Sequence, residues 1–202
     1  PTGRTAHPEL LREIVRKCTE NGVKLVVDEC FNDFLTDAER HTRKDLLESN
    51  PGLIILRAYT KMYAVPGVRF GWCMTSDAAL IEKLYHAGQP WNVSVIAQAC
   101  AAAAANEPDW ATETAKRIAE ERRFLSDGLA ACGLTVFPGE ANFLLFRSND
   151  TGLHEKLAEH GIMIRNCDNY RGLSAGYYRV AVKTREASKC LLNAIKLIIE
   201  NG

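Results

Sequence analysis

Arg57-Ala-Tyr-Thr60-Lys61-Met-Tyr-Ala-Val-Pro66-Gly-Val-Arg69-Phe-Gly71 joins two short apolar runs, Leu53 to Arg57 and Phe70 to Met74. Each run is continuous and bounded by turn residues, Asn50-Pro51-Gly52 on one side and Pro66-Gly67 on the other, which predicts buried strands. Upstream, Lys24-Leu-Val-Val-Asp28 repeats the pattern and ends in acid. It follows an amphipathic helix predicted from about Pro8 to Asn21, and a helical stretch around Arg43 to Ser49 fills the interval before Leu53. Strand, helix, strand in this rhythm predicts an α/β layer, in which ligands meet the carboxyl ends of strands. Asp28-Glu29 and Lys61 both fall just past such ends.

Further along, helices are predicted for Asp77 to Ala87, Val93 to Asn106 and, long and charged, about Asp109 to Cys132. The alanines Ala101 to Ala105 favour a helix and leave a small face. Then the pattern changes. Short strands at Leu134 to Phe137, Ala141 to Phe146, Ile162 to Ile164 and Tyr177 to Val182 alternate with helices near Gly152 to His160 and Glu186 to Glu200, the signature of a small α+β domain. The expected division is 1–108 and 109–202, with the boundary in the long helix. The opening Pro1-Thr2-Gly3, a turn with no element before it, is expected to lie inside a larger protein.

Composition excludes several function classes. Lys plus Arg (25) balance Asp plus Glu (25), so there is no basic excess for nucleic acid or an anionic membrane surface. No apolar run is long enough to span a bilayer and no signal-peptide pattern stands at the N-terminus, which makes the cytoplasm the expected address. Cys18, Cys30, Cys73, Cys100, Cys132, Cys167 and Cys190 are scattered without a Cys-x-x-Cys pair or spaced His partners. Neither a metal site nor a disulfide framework is expected, and the thiols read as small buried hydrophobes.

The chemistry concentrates around the opening stretch. An acid at a strand end ordinarily caps the next turn, and a lone loop lysine is ordinarily solvated. Together, however, the Lys61 amine, the Thr60 hydroxyl and the Arg69 guanidinium are the groups needed to hold an aldehyde and its attached phosphate.

Pro1-Thr2-Gly3, Asp28-Glu29, Thr60-Lys61 and Gly67-Val-Arg69-Phe-Gly71, in this order and spacing, resemble the class I/II aminotransferases of fold-type I, which depend on pyridoxal 5'-phosphate (PLP). The resemblance covers essentially the whole chain. It implies the C-terminal part of a PLP-binding large domain followed by the small α+β domain. It also implies that Lys61 bonds the cofactor, Asp28 pairs with the protonated pyridine nitrogen, and Thr60 and Arg69 hold the cofactor phosphate. A buried carboxylate would keep the ring nitrogen charged, and partial burial with neighbouring positive charge would favour the free amine of Lys61.

The C-terminal segments Pro138-Gly-Glu-Ala-Asn142-Phe143, Ile164-Arg165 through Tyr170-Arg-Gly172-Leu173, and Tyr177-Tyr178-Arg179-Val-Ala-Val resemble the threonine-phosphate decarboxylases of cobalamin biosynthesis, with the histidinol-phosphate aminotransferases as close relatives. In both, the substrate is a small amino compound carrying a phosphate ester. The resemblance places Arg165, Arg179 and Asn142 on that substrate and implies a homodimer whose partner completes the pocket. Phe31 replaces the tyrosine that relatives carry three residues after the aspartate, and Ala58 replaces a second phosphate-binding hydroxyl. The asparagine that precedes the Pro1 position in the family is not in this sequence, nor are the earlier cofactor-binding residues, so the chain alone is expected to bind PLP weakly. A reading of another class is an aminotransferase-like regulatory or binding module.

Overall fold

The computed structural model describes residues 2–107 and 109–200. The chain divides into two compact units, one of residues 6–114 and one in which Thr2–Thr5 join residues 115–200. The division falls between Thr114 and Ala115, inside the helix α5 (Trp110–Ala131).

In the first unit, helix α1 (Pro8–Glu20) begins on proline, whose missing N–H costs nothing in a first turn. Its outer face carries the ion pairs Glu13–Lys17 and Arg16–Glu20 at helical spacing, and its inner face buries Val15 against Leu53 and Ile55. Strand β1 (Leu25–Asp28) lies parallel to β2 (Leu53–Ala58) with Leu25 opposite Leu53 and Asp28 opposite Leu56. Strand β3 (Gly71–Met74) returns antiparallel on the far side of β2, Ile55 facing Met74, so the order is β1-β2-β3. Leu25 and Val27 turn toward the α1 core, whereas Val26 is 56% exposed. Among the described residues β1 thus alternates between a packed and an open side, where the continuous apolar run predicted a sheet covered on both faces.

The helix expected over Arg43 to Ser49 is also corrected. Within it only a single 3-10 turn forms, at Lys44–Leu46, and the short helix α2 (Ala38–His41) ends before the segment begins. Thr42 between them is extended, because its hydroxyl and the next backbone N–H both reach back to Glu29. Helix α3 (Ala78–Ala87) is capped by Asp77, which accepts from Leu80 N at 3.0 Å, and α4 (Val95–Ala105) by Ser94, which accepts from Ala97 N at 3.1 Å.

The second unit is an antiparallel sheet in the order β4-β5-β7-β6 with helices on one face. Its strands are β4 (Thr135–Phe137), β5 (Phe143–Arg147), β6 (Arg165–Asn166) and β7 (Tyr177–Ala181). Its helices are the rest of α5, then α6 (Leu153–Glu159) and α7 (Arg185–Glu200). Leu144, Phe146, Tyr178 and Val180 pack with Leu125, Leu129, Leu157 and Ile195. Strand periodicity sends Phe143, Leu145, Arg147, Tyr177 and Arg179 to the other face. The strand expected at Ile162 to Ile164 lies later, at Arg165–Asn166. Gly161 adopts φ +73° and Ile162 N donates to Leu157 O, closing the end of α6, so Ile162 belongs to the helix cap rather than to a ladder. The thiols differ from expectation too: Cys167 is buried, Cys190 is exposed and the others are half-buried.

Candidate active site

The carboxyl ends of β1 and β2 bring together Asp28, Cys30, Phe31, Thr60 and Lys61. Asp28 ends β1 on its open side, and its Oδ1 accepts from Cys30 N at 2.9 Å, so the acid also secures the turn that follows. Two residues past β2, Thr60 is buried and its hydroxyl accepts from Lys61 Nζ at 3.4 Å. Lys61 is exposed, against the expected partial burial, and its ammonium sits 5.5 Å from the centre of the Phe31 ring. The thiol of Cys30 reports on the whole group. Burial, followed by the hydrogen bond and charge of Asp28, pushes it up to about 11, while the charges of Lys61 and Arg57 pull it back. Arg69 takes a left-handed conformation (φ +61°) and donates Nη1 to Pro66 O at 3.0 Å; it is exposed and closes its own turn.

Beside this group lies a set of charges of which the sequence singled out only Glu29, together with Asp28. Glu29 is 5% exposed and accepts from Thr42 Oγ1 (2.8 Å), Arg43 N (2.9 Å) and Arg57 Nε (3.1 Å). Arg57, at the end of β2, also reaches Asp33 Oδ1 at 2.6 Å. The only sequence signal was an arginine inside an otherwise apolar strand, a residue that needs a partner if buried.

In the second unit, Arg165 on β6 stands directly opposite Arg179 on β7, so both side chains leave the same face. Arg165 is exposed and its Nη2 lies 3.5 Å from Asn169 Oδ1; Arg179 is half-buried with its guanidinium 4.8 Å from the centre of the Phe143 ring. Among the described residues neither has a carboxylate partner. Burial raises the Cys167 thiol, and Arg179 and then Arg165 pull it down, so both charges act at one point. Like charges set opposite each other destabilise a sheet, and two guanidiniums on one face can each donate to an anion. Asn142 enters β5 with its carbonyl accepting from Val182 N at 2.8 Å. The preceding segment is held by Arg122, whose Nη1 donates to Glu140 O and Ala141 O, each at 3.0 Å. Among the described residues no group of three or more His, Cys, Asp or Glu could hold a metal ion, and no helix is long and apolar enough to cross a membrane.

A parallel strand pair with an acid and a lysine at its carboxyl end, followed by a separate α+β unit, defines the fold-type I class of PLP-dependent enzymes. The chain belongs to the aminotransferase class I and II family, whose sequence pattern matches residues 1–195. It is 34% identical to threonine-phosphate decarboxylase of Salmonella typhimurium, over 98% of this chain and 55% of that protein. It is 33% identical to histidinol-phosphate aminotransferase 2 of Archaeoglobus fulgidus, again over 98% and 55%. Among solved structures, histidinol-phosphate aminotransferase from Clostridium acetobutylicum superposes with a TM-score of 0.94 at 28% identity, covering 100% of this chain and 62% of that one. The chain thus spans about half the length of the curated relatives it matches.

The family uses PLP, as the sequence implied. The donor set fits that cofactor. An exposed amine suits an aldehyde, a carboxylate on the open side of the same strand ends suits a protonated ring nitrogen, and Thr60 adds a hydroxyl donor beside the amine.

Proposed function

We propose that the full-length protein decarboxylates L-threonine O-3-phosphate to (R)-1-amino-2-propanol O-2-phosphate in cobalamin biosynthesis, as a cytoplasmic homodimer. The observation that carries this reading is the cross-strand pair Arg165 and Arg179, two guanidiniums without carboxylate partners among the described residues. A substrate with both a phosphate and a carboxylate gives each of them an anion. The 34% identity to a threonine-phosphate decarboxylase supports the same reading.

Bound PLP supplies an electron sink for bond breaking at the substrate's α-carbon. This chain supplies the placement. Lys61 offers the amine that bonds the cofactor aldehyde, and Asp28 holds a proton at the ring nitrogen. Thr60 and Arg69 take the cofactor phosphate. Arg165, Arg179 and Asn142 orient the substrate, and the orientation of its carboxylate decides whether carbon dioxide or a proton leaves the α-carbon. A preference of about 4 kcal/mol between the two orientations gives roughly thousandfold selectivity.

The similarity to histidinol-phosphate aminotransferases favours a second reading, transamination of a phosphorylated amino alcohol. Full-length protein incubated with each substrate separates the two. Carbon dioxide release from threonine phosphate without 2-oxoglutarate consumption is the expected result. Loss of the oxo acid with no gas refutes the primary reading. Lys61→Ala is expected to abolish the borohydride-trappable cofactor adduct, and its survival would move the attachment to another lysine.

A further inference from the structure

We infer that Arg57 is a positioning residue: its largely enclosed guanidinium, holding Glu29 and Asp33 at once, sets the turn that presents Asp28 and underlies Lys61. The inference rests on the reading of Asp28 and Lys61 as cofactor ligands.

Those two residues come from neighbouring strands, and the regular ladder that aligns them stops at the pairing of Asp28 with Leu56. One further backbone bond, Glu29 N to Leu56 O at 2.9 Å, extends it. Past that point the chain after β1 folds into the turn from Glu29 to Asp33, which contains Cys30 and Phe31. Arg57 grips both ends of this turn. At the first end Nε donates to Glu29 Oε2 at 3.1 Å and Nη2 lies 2.9 Å from the same oxygen; at the other, Nη1 meets Asp33 Oδ1 at 2.6 Å. Glu29 is anchored in turn by Thr42 and the backbone of Arg43.

Within the turn so held, Cys30 N fixes the Asp28 carboxylate and the Phe31 ring lies against the Lys61 ammonium. Arg57 therefore acts on both proposed ligands through the turn and touches neither. The fork is needed for this. With its side chain 11% exposed, Arg57 sits where an unpaired charge is costly, and its planar donors reach two carboxylates in fixed directions. A lysine offers a point charge that can serve one of them well.

The test uses the full-length holoenzyme with Arg57→Lys and the milder Asp33→Asn, which removes the charge from the half-exposed end of the bridge. For Arg57→Lys the expected result is a roughly tenfold weaker PLP dissociation constant and a kcat lower by about tenfold to a hundredfold, with KM within about twofold, as for a small misplacement of reacting groups. The visible circular dichroism per bound cofactor is expected to weaken. Asp33→Asn is expected to move each quantity in the same direction by less. If Arg57→Lys does not fold, Asp33→Asn decides alone. Variants that lose thermal stability but keep the PLP constant and the dichroism of the wild type would overturn the inference. If wild-type holoenzyme carries no trappable PLP on Lys61, it is the underlying reading that fails.

Discussion

Arg165→Ala separates a structural from a functional role for the paired arginines, because the two roles predict opposite signs. Arg165 stands opposite Arg179 with one weak polar contact at 3.5 Å and no carboxylate partner among the described residues. Two unit charges at the roughly 5 to 8 Å spacing of cross-strand neighbours, at a surface dielectric of about 40 to 80, repel by roughly 0.5 to 1.7 kcal/mol before salt screening. Removing one is expected to leave stability unchanged or to raise it by up to about 1 kcal/mol, since little is lost in exchange. For the substrate the sign reverses. A charge-assisted hydrogen bond is worth about 1.5 to 3 kcal/mol, so kcat/KM for threonine phosphate is expected to fall by roughly tenfold to a hundredfold. Thermal denaturation and carbon dioxide release on the full-length protein measure both. A clear drop in Tm with intact kcat/KM would show that the arginine serves the sheet and not the substrate.

Two further outcomes follow from the same geometry. In the cofactor-free protein the Cys30 thiol, held up at about 11, is expected to react with iodoacetamide far more slowly at pH 8 than exposed Cys190. Because the shift is upward, its rate should climb as pH rises toward that value, and equal labelling of the two thiols at pH 8 contradicts the burial and the Asp28 contact. Gly176→Ala is expected to cost about 2 kcal/mol or more: φ is +91° and an added Cβ would stand 2.6 Å from the backbone oxygen of Ser148. An unchanged urea midpoint would show that the hairpin before β7 can relax.

Local signals made much of the fold legible. The apolar runs ending at Asp28 and Arg57 became adjacent parallel strands, and Asp77 and Ser94 sit one residue before the helices they cap. Failures came where a distant partner competed with a local preference. The segment from Arg43 to Ser49 has helical composition, yet Glu29, on the far side of the crossover, draws Thr42 and Arg43 N out of a helix. Ile162 reads as strand, but the glycine before it lets the chain cap α6. For the candidate site, motif spacing singled out Asp28, Thr60 and Lys61, which the structure gathers at the strand ends. It could not show that Arg57 bridges Glu29 and Asp33, because salt-bridge geometry lies in the tertiary fold. The opposition of Arg165 and Arg179 is likewise a matter of strand register, which no local pattern encodes.

The alternation of β1 has a consequence for how this protein tolerates change. Its last acid and the next one are chemically near-identical neighbours with opposite destinies, one left on the open side and one enclosed among donors. Parity therefore protects the arrangement. Gaining or losing a single residue within Leu25–Asp28 would exchange the two, stranding a charge in the interior and turning the acid proposed to meet the cofactor toward the packed side, whereas a side-chain replacement at Val26 leaves that parity intact.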